Sequence, residues 1–140
     1  MLFRSDVSYD MALVIAQTAL ESCRAQNFKV GVSVVDRGGH VLVTLRDHGA
    51  AHHTVELAQR KAYTSRIFRQ SSRDFSQRLR DNPISAGLGT TSGVLASVGG
   101  IPIKLGDEVI GGVGVSGAPG GQNDENCALA GLSKVADQLK

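Results

Sequence analysis

All four histidines of this 140-residue chain fall between residues 40 and 53: His40, His48, His52 and His53. Imidazole binds haem iron and divalent metals, and it transfers protons near neutral pH. No cysteine lies near the group, and no pair of histidines with ligand spacing falls on a predicted helix, so a closed zinc site is not expected. Because His52 and His53 immediately precede a predicted helix, they are the candidates for a ligand of haem iron or of a divalent metal. The sequence also favours His53 as a catalytic acid or base. The alternative for each histidine is a solvated loop residue.

A run of cations follows the histidines. Between residues 60 and 80 a single acid, Asp74, opposes seven basic residues: Arg60, Lys61, Arg66, Arg69, Arg73, Arg78 and Arg80. Arginine binds carboxylates and phosphates through two parallel hydrogen bonds, so the run predicts a site for a carboxylate, a phosphate or the propionates of haem. Arg60 and Lys61 lie two helical turns after His53 and are the cations predicted to hold such a ligand. The alternative is a solvated helix face. No aromatic stacking pattern accompanies the charges, so nucleic acid is not expected.

Glycine is abundant, with 17 residues, and two glycine segments invite a functional interpretation. Residues 112–117 match G-x-G-x-x-G, but the match lies within a predicted strand and not between a strand and a helix. We therefore expect these glycines to let a helix or a ligand approach the sheet closely. Gly99 and Gly100 separate two predicted strands, and we expect them to need positive φ or close backbone contact. Asp124 and Glu125 are expected to cap the last helix; the alternative there is an anion site in the preceding glycine turn.

These residues must be positioned by alternating helices and strands. Hydrophobic periodicity and turn residues predict an α+β sandwich with an antiparallel sheet, formed as one domain over residues 1–140. Ser72 is the predicted N-cap of the third helix. The predicted helices are 8–26, 54–68, 72–80 and 124–139, and the predicted strands are 30–36, 41–46, 94–98, 101–105 and 109–115.

Composition narrows the class of protein. The hydrophobic fraction of 41% and the charged fraction of 20% are ordinary for a globular domain and argue against disorder or a disulfide scaffold. A net charge of +2 is too small to indicate nucleic-acid binding, and no apolar run is long enough for a membrane span. No secretory signal is recognised, so a cytoplasmic location is expected. Cys23 and Cys127 are expected to be small buried hydrophobes in a reducing compartment; the alternatives are a disulfide or a catalytic thiol.

Four segments, in this order and at these spacings, resemble the GlcG/HbpS-like family, which also forms the C-terminal domain of PduO-type corrinoid adenosyltransferases. The resemblance extends from about residue 8 to residue 139. The segments are VVDRGGH at 34–40, AQRKAYT at 58–64, GGIPI at 99–103, and VIGGVGVSGAPGG at 109–121 followed by Asp124 and Glu125.

The resemblance implies a profilin-like sandwich, with an antiparallel, roughly five-stranded sheet flanked by helices, and it implies homo-oligomers. Several members bind haem, and some have been called haem-degrading or redox-sensing. The family's usual ligand region corresponds here to the loop with His52 and His53, the start of the helix carrying Lys61, and the Gly99–Gly100 turn. We expect neither the secretion signal of the extracellular haem-binding members nor an adenosyltransferase domain, which weakens transfer of those particular roles.

Three functions therefore compete. The first is a cytoplasmic protein that binds haem or a small anion. The second is a catabolic enzyme acting on a small carboxylate, with a histidine as acid or base and an arginine or lysine as the carboxylate clamp. The third is a non-catalytic oligomeric accessory protein. The expected partners are a second copy of the chain and haem or a small anionic ligand, without nucleic acid or membrane.

Overall fold

The computed structural model describes residue 2 and residues 4–140, and it contains one antiparallel sheet covered by helices on both faces. Two short 3-10 helices, Pro83–Thr90 and Ala136–Gln138, complete the regular structure of the described residues. The elements in chain order are α1 (Tyr9–Arg24), β1 (Gly31–Val35), β2 (Val41–Arg46), α2 (Thr54–Phe68), α3 (Ser72–Asp81), β3 (Gly100–Leu105), β4 (Glu108–Ser116) and α4 (Gly121–Lys134).

The sheet has the strand order β2-β1-β4-β3, so β1 and β4 are central and β2 and β3 are the edges. Side chains alternate between the two faces of a strand, and β1 and β4 use this alternation to build two different surfaces. Valines such as Val32 and Val113 project into a core shared with α1 and α4. Small residues occupy the opposite face, which packs against α2.

Close packing of α2 on the sheet depends on those small residues. A Cβ placed on Gly112 or Gly114 would overlap the main-chain carbonyl of Ala62 or Ala58 in α2. Ala58 and Ala62 are themselves fully buried. The expectation that the glycines of the last strand admit a helix is therefore confirmed, and their G-x-G-x-x-G match has a packing explanation.

The sheet has four strands in the described part of the chain, whereas five were predicted. The missing strand is 94–98, which is irregular because its polar groups bond to other partners. The amide of Leu95 donates to Oγ1 of Thr64 at 2.9 Å, and the amide of Val94 donates to the carbonyl of Thr91 at 3.0 Å. The antiparallel sheet with flanking helices is confirmed; the strand count is corrected.

One helix cap and one helix start also differ from the prediction. The N-cap of α3 is Ser71, which accepts from the amide of Asp74 at 3.0 Å. Ser72, predicted as this cap, is buried and accepts instead from the amide of Gly100 at 2.8 Å. The last helix begins at Gly121, three residues before the predicted start, and ends at Lys134 before a short 3-10 turn.

The two cysteines form a disulfide between α1 and α4. Cys23 and Cys127 are both fully buried, as predicted, but their sulfurs are bonded at 2.08 Å, so the prediction of two free thiols is wrong. Helix packing brings together residues 104 apart in sequence, which local patterns could not show. Disulfides are rare in reducing compartments, so this bond removes the cysteine argument for a cytoplasmic location.

Every helix in the described chain is too short or too polar to cross a bilayer.

Candidate functional site

A cleft of about 450 Å³ lies beside the N-terminal end of α2, and it contains the two histidines that the sequence favours. His52 and His53 are both exposed there. Arg46, the last residue of β2, supplies a cation, and Val55 supplies an apolar wall. The remaining lining residues are Glu56 and Gln59. We call this the histidine cleft.

The loop that carries the histidines is held by a buried carboxylate. Asp47 receives two hydrogen bonds from Arg24, from Nη2 to Oδ1 at 2.7 Å and from Nε to Oδ2 at 3.2 Å. These hydrogen bonds from Arg24 hold the pKa of the Asp47 carboxyl below its usual value, against the opposing effect of burial. Arg46, which immediately precedes Asp47, donates from Nη1 to the carbonyl of Ala50 at 2.9 Å. The loop is thus fixed by Asp47 at the end of β2 and by the Arg46 contact at Ala50.

The helix side of the cleft is fixed by contacts of α2. Thr54 Oγ1 donates to the carbonyl of Ala51 at 2.7 Å, which closes the first turn. Gln59 Nε2 donates to Oγ1 of Thr44 at 3.2 Å and ties α2 to β2 along the cleft. His53 occupies the N-cap position, yet its side chain makes no capping hydrogen bond. Its imidazole is therefore not committed to the helix end.

His53 also borders a second cleft, of about 340 Å³, on the other flank of the loop. Lys29 and the Gly117–Pro119 turn form part of that wall. A single imidazole therefore stands between two concave surfaces, whereas His52 lines the histidine cleft and not the second cleft.

Arg60 and Lys61 do not line the histidine cleft. Arg60 Nη2 donates to the carbonyl of Val94 at 2.6 Å and so holds the irregular segment against α2. Lys61 is buried, and its Nζ donates to Oδ2 of Asp124 at 3.1 Å and to the carbonyl of Val115 at 2.9 Å. Burial lowers the pKa of Lys61 and raises the pKa of Asp124, while the pairing opposes both shifts. The Lys61 ammonium therefore has an internal partner.

Gly99 and Gly100 are buried beneath α2 and border neither cleft. Gly99 has φ +133°, and a Cβ there would lie 2.6 Å from the carbonyl oxygen of Val115. A Cβ on Gly100 would overlap the carbonyl of Lys61. The prediction of positive φ or close backbone contact is confirmed: Gly100 lets β3 pass under α2, and Gly99, the residue preceding β3, approaches the main chain of β4 closely.

Asp124 and Glu125 do not cap α4, which corrects the prediction. The helix begins at Gly121, so both carboxylates point inward from its first turns. Asp124 Oδ1 accepts from the amide of Ala118 at 2.9 Å, in addition to its bond with Lys61. Glu125 is buried and pairs with Arg73 of α3. These two ion pairs connect α4 to α2 and to α3.

Arg46 is the functional candidate that sequence reasoning missed. It ends a predicted strand, and antiparallel pairing of a hairpin brings the end of its second strand level with the start of the first. Together with the start of α2 eight residues later at Thr54, this geometry is the signal that could have placed Arg46 beside the histidines.

No cluster of three or more His, Cys, Asp or Glu suited to a metal ion occurs in residue 2 or residues 4–140.

Comparison with known proteins agrees with this architecture. A family model described as haem degrading protein HbpS-like matches residues 7–133. Protein GlcG of Escherichia coli K12 is 30% identical over 111 residues, which is 79% of this chain and 81% of GlcG.

Solved structures show the same fold. A double mutant of HbpS from Streptomyces reticuli superposes with a TM-score of 0.91 at 32% identity, covering 96% of this chain and 90% of that one. A complex of PduOC with heme shares the fold, with a TM-score of 0.82 at 24% identity, covering 91% and 93% of the two chains. Both the sequence match over residues 7–133 and the shared fold lead to one conclusion: the chain belongs to the HbpS-like family.

Proposed function

We propose that this protein binds haem in the histidine cleft, with His53 as the first candidate for the iron ligand and His52 as the second. The observation that carries the proposal is the position of His53, an exposed imidazole at an N-cap without a capping bond, between two concave surfaces. Iron in haem proteins is commonly held by an imidazole nitrogen that has no competing partner.

The residues of the cleft fit the other parts of haem. The macrocycle has apolar faces, and Val55 provides an apolar wall. The propionates are anionic, and Arg46 uses only Nη1 in its bond to Ala50, which leaves other donors of the guanidinium for a carboxylate. Glu56 also lines the cleft, so its carboxylate disfavours a propionate on that side and favours one beside Arg46.

The family supports this proposal independently of the geometry. The matching family model describes haem-degrading proteins. The fold relative PduOC was crystallised with heme. When bound, haem would supply iron redox chemistry, while the protein's own residues hold, orient and shield it.

The test is a hemin titration followed by the Soret band. Wild-type protein is compared with His53→Ala and His52→Ala, and with His40→Ala as a matched histidine control. His40 precedes β2, so it lies at the opposite end of that strand from Arg46, about 20 Å away at the usual rise per residue. We expect the Soret maximum of the complex to shift in the His53 or the His52 variant and to be unchanged in the His40 variant.

A second pair of variants tests the anion contact. Arg46→Gln should weaken hemin affinity at least about tenfold, since a charge-assisted hydrogen bond contributes about 1.5–3 kcal/mol. Arg60→Gln removes the same charge from α2 outside the cleft and should leave hemin affinity unchanged. Identical isotherms for all five variants and wild type would contradict the proposal. Binding of a small carboxylate that depends on His53, without hemin binding, would favour the enzyme hypothesis.

The proposal includes self-association, as the family resemblance implies. The glycine-rich strand β4 does not supply the surface for it, because β4 is central and covered by α2 within one chain. Exposed apolar residues remain, among them Ile84 at 95% and Leu129 at 44% exposure. Light scattering at micromolar concentration should give a mass above 14.7 kDa, and a monomeric mass would remove this part of the proposal.

A further inference from the structure

A further concave site lies at the other end of α2 and is lined mainly by cations. Its volume is about 290 Å³. Four different elements or loops contribute to it: the N-terminal segment, the β1–β2 turn, the end of α2 and the β3–β4 hairpin. The lining residues are Arg4, Arg37, Arg66, Arg69, Lys104, Asp107, Glu108 and Val109. We call this the basic pocket.

Most of the positive charge in the basic pocket has no acidic partner. Arg37 forms an ion pair with Glu108, between Nη2 and Oε1 at 2.6 Å. Arg66 donates from Nε to the carbonyl of Arg37. Within the described residues, Arg4, Arg69 and Lys104 form no ion pair and no side-chain hydrogen bond. Among the lining residues, five cations therefore outnumber two carboxylates, and Asp6 and Asp36 act on Arg66 from outside the lining.

The cations crowd one another. Burial lowers the pKa of Arg66, and the charges of Arg37 and Arg69 lower it further against the attraction of Asp6 and Asp36. The C-terminal end of a helix attracts cations, which explains Arg66 in the last turn of α2 and Arg69 at its C-cap. It does not explain why Arg37 and Lys104, from two other parts of the chain, converge on the same volume.

We propose that the basic pocket binds the phosphoryl group of a small phosphate ester or diphosphate. Guanidinium groups match the oxygens of a phosphoryl group through bidentate hydrogen bonds, and a group with two or more negative charges offsets several cations at once. A monocarboxylate carries one charge and would leave most of the excess cations uncompensated.

This site is separate from the histidine cleft. Arg66 lies thirteen residues after His53 on the same helix, about 20 Å along the axis at 1.5 Å per residue. The inference therefore does not depend on haem binding, and either proposal can fail without the other.

Isothermal titration with inorganic pyrophosphate at fixed ionic strength tests the site, with citrate and acetate as comparison anions. The informative variant is Arg69→Gln/Lys104→Gln, because both side chains line the pocket and neither forms an ion pair with any residue that the structure describes. The matched control is Arg78→Gln/Lys134→Gln, which removes the same charge from exposed helix positions outside the pocket.

We expect wild-type protein to bind pyrophosphate more tightly than citrate, and acetate not measurably. The pocket variant should lose at least about tenfold in pyrophosphate affinity, the value of one charge-assisted contact, while the control variant stays within about twofold of wild type. Equal losses in both double variants would show only general charge attraction and would overturn the site. Absence of pyrophosphate binding would also overturn it, and citrate binding as tight as pyrophosphate would overturn the phosphoryl assignment.

Discussion

Reducing the Cys23–Cys127 disulfide should lower the stability of this protein by several kcal/mol. The bond joins α1 to α4 and closes a loop of 104 residues. In the chain-entropy treatment, cross-linking about 100 residues stabilises the folded state by about 4.7 kcal/mol, because it restricts the unfolded chain. The loop covers most of the chain, so the effect is close to the largest that one disulfide can have here.

The expected shift in melting temperature follows from the chain length. Unfolding entropy is about 2.1 cal/mol/K per residue, which gives about 0.3 kcal/mol/K for 140 residues. A loss of about 4.7 kcal/mol therefore lowers Tm by about 15 °C. Strain or residual structure in the reduced unfolded chain would make the shift smaller.

The assay compares oxidised and reduced wild-type protein by thermal denaturation. Both sulfurs are fully buried, so the protein is reduced while unfolded and then refolded with reductant present. Reduction keeps both side chains in the core, and the comparison therefore isolates the cross-link. The Cys23→Ala/Cys127→Ala variant serves as the control, because its Tm should not respond to reductant. Two free thiols in unreduced, denatured protein, or equal Tm values with and without reductant, would refute the reasoning.

Three further predictions concern packing and charge. Gly100→Val should lower the unfolding free energy by about 1–3 kcal/mol in chemical denaturation, since its Cβ overlaps the Lys61 carbonyl, and an unchanged midpoint would contradict this packing. Lys61→Met should destabilise by about 3–5 kcal/mol at neutral pH by leaving Asp124 buried and unpaired. Because the folded-state pKa of Asp124 is raised, that variant should regain stability as pH falls, and Lys61→Met/Asp124→Leu should recover most of the loss. Asp47 has a lowered folded-state pKa, so its stabilisation is present above its unfolded value near 3.8 and is lost in more acidic solution; Arg24→Gln should raise the midpoint of acid unfolding.

Local patterns predicted the elements that position the site. The bounds 54–68 of α2 and 41–46 of β2 agree with the structure, because helical periodicity and a glycine turn are encoded by neighbouring residues. The segment 94–98 has the composition of a strand but is irregular. Its main-chain groups bond to Thr64 and Thr91, and this competition between partners cannot be read from the segment itself.

Contacts between residues that are distant in sequence could not be predicted from local patterns. Lys61 and Asp124 are 63 residues apart, and nothing in either segment identifies the other as its partner. Lys61 therefore looked like a ligand-binding cation two turns into a helix, although the structure buries its ammonium against α4. Arg46 is the opposite case, because sequence analysis gave it no functional role although it lines the histidine cleft. The hairpin and the following loop return the chain to α2 and so bring Arg46 to the cleft.

The most direct test of haem binding in the histidine cleft is an anomalous difference map at the iron edge, from crystals grown with hemin. We expect one strong iron peak within coordination distance of a ring nitrogen of His53 or His52, with a propionate beside Arg46. An iron peak at the basic pocket, at another surface, or no peak from protein that retains hemin in solution would contradict this expectation.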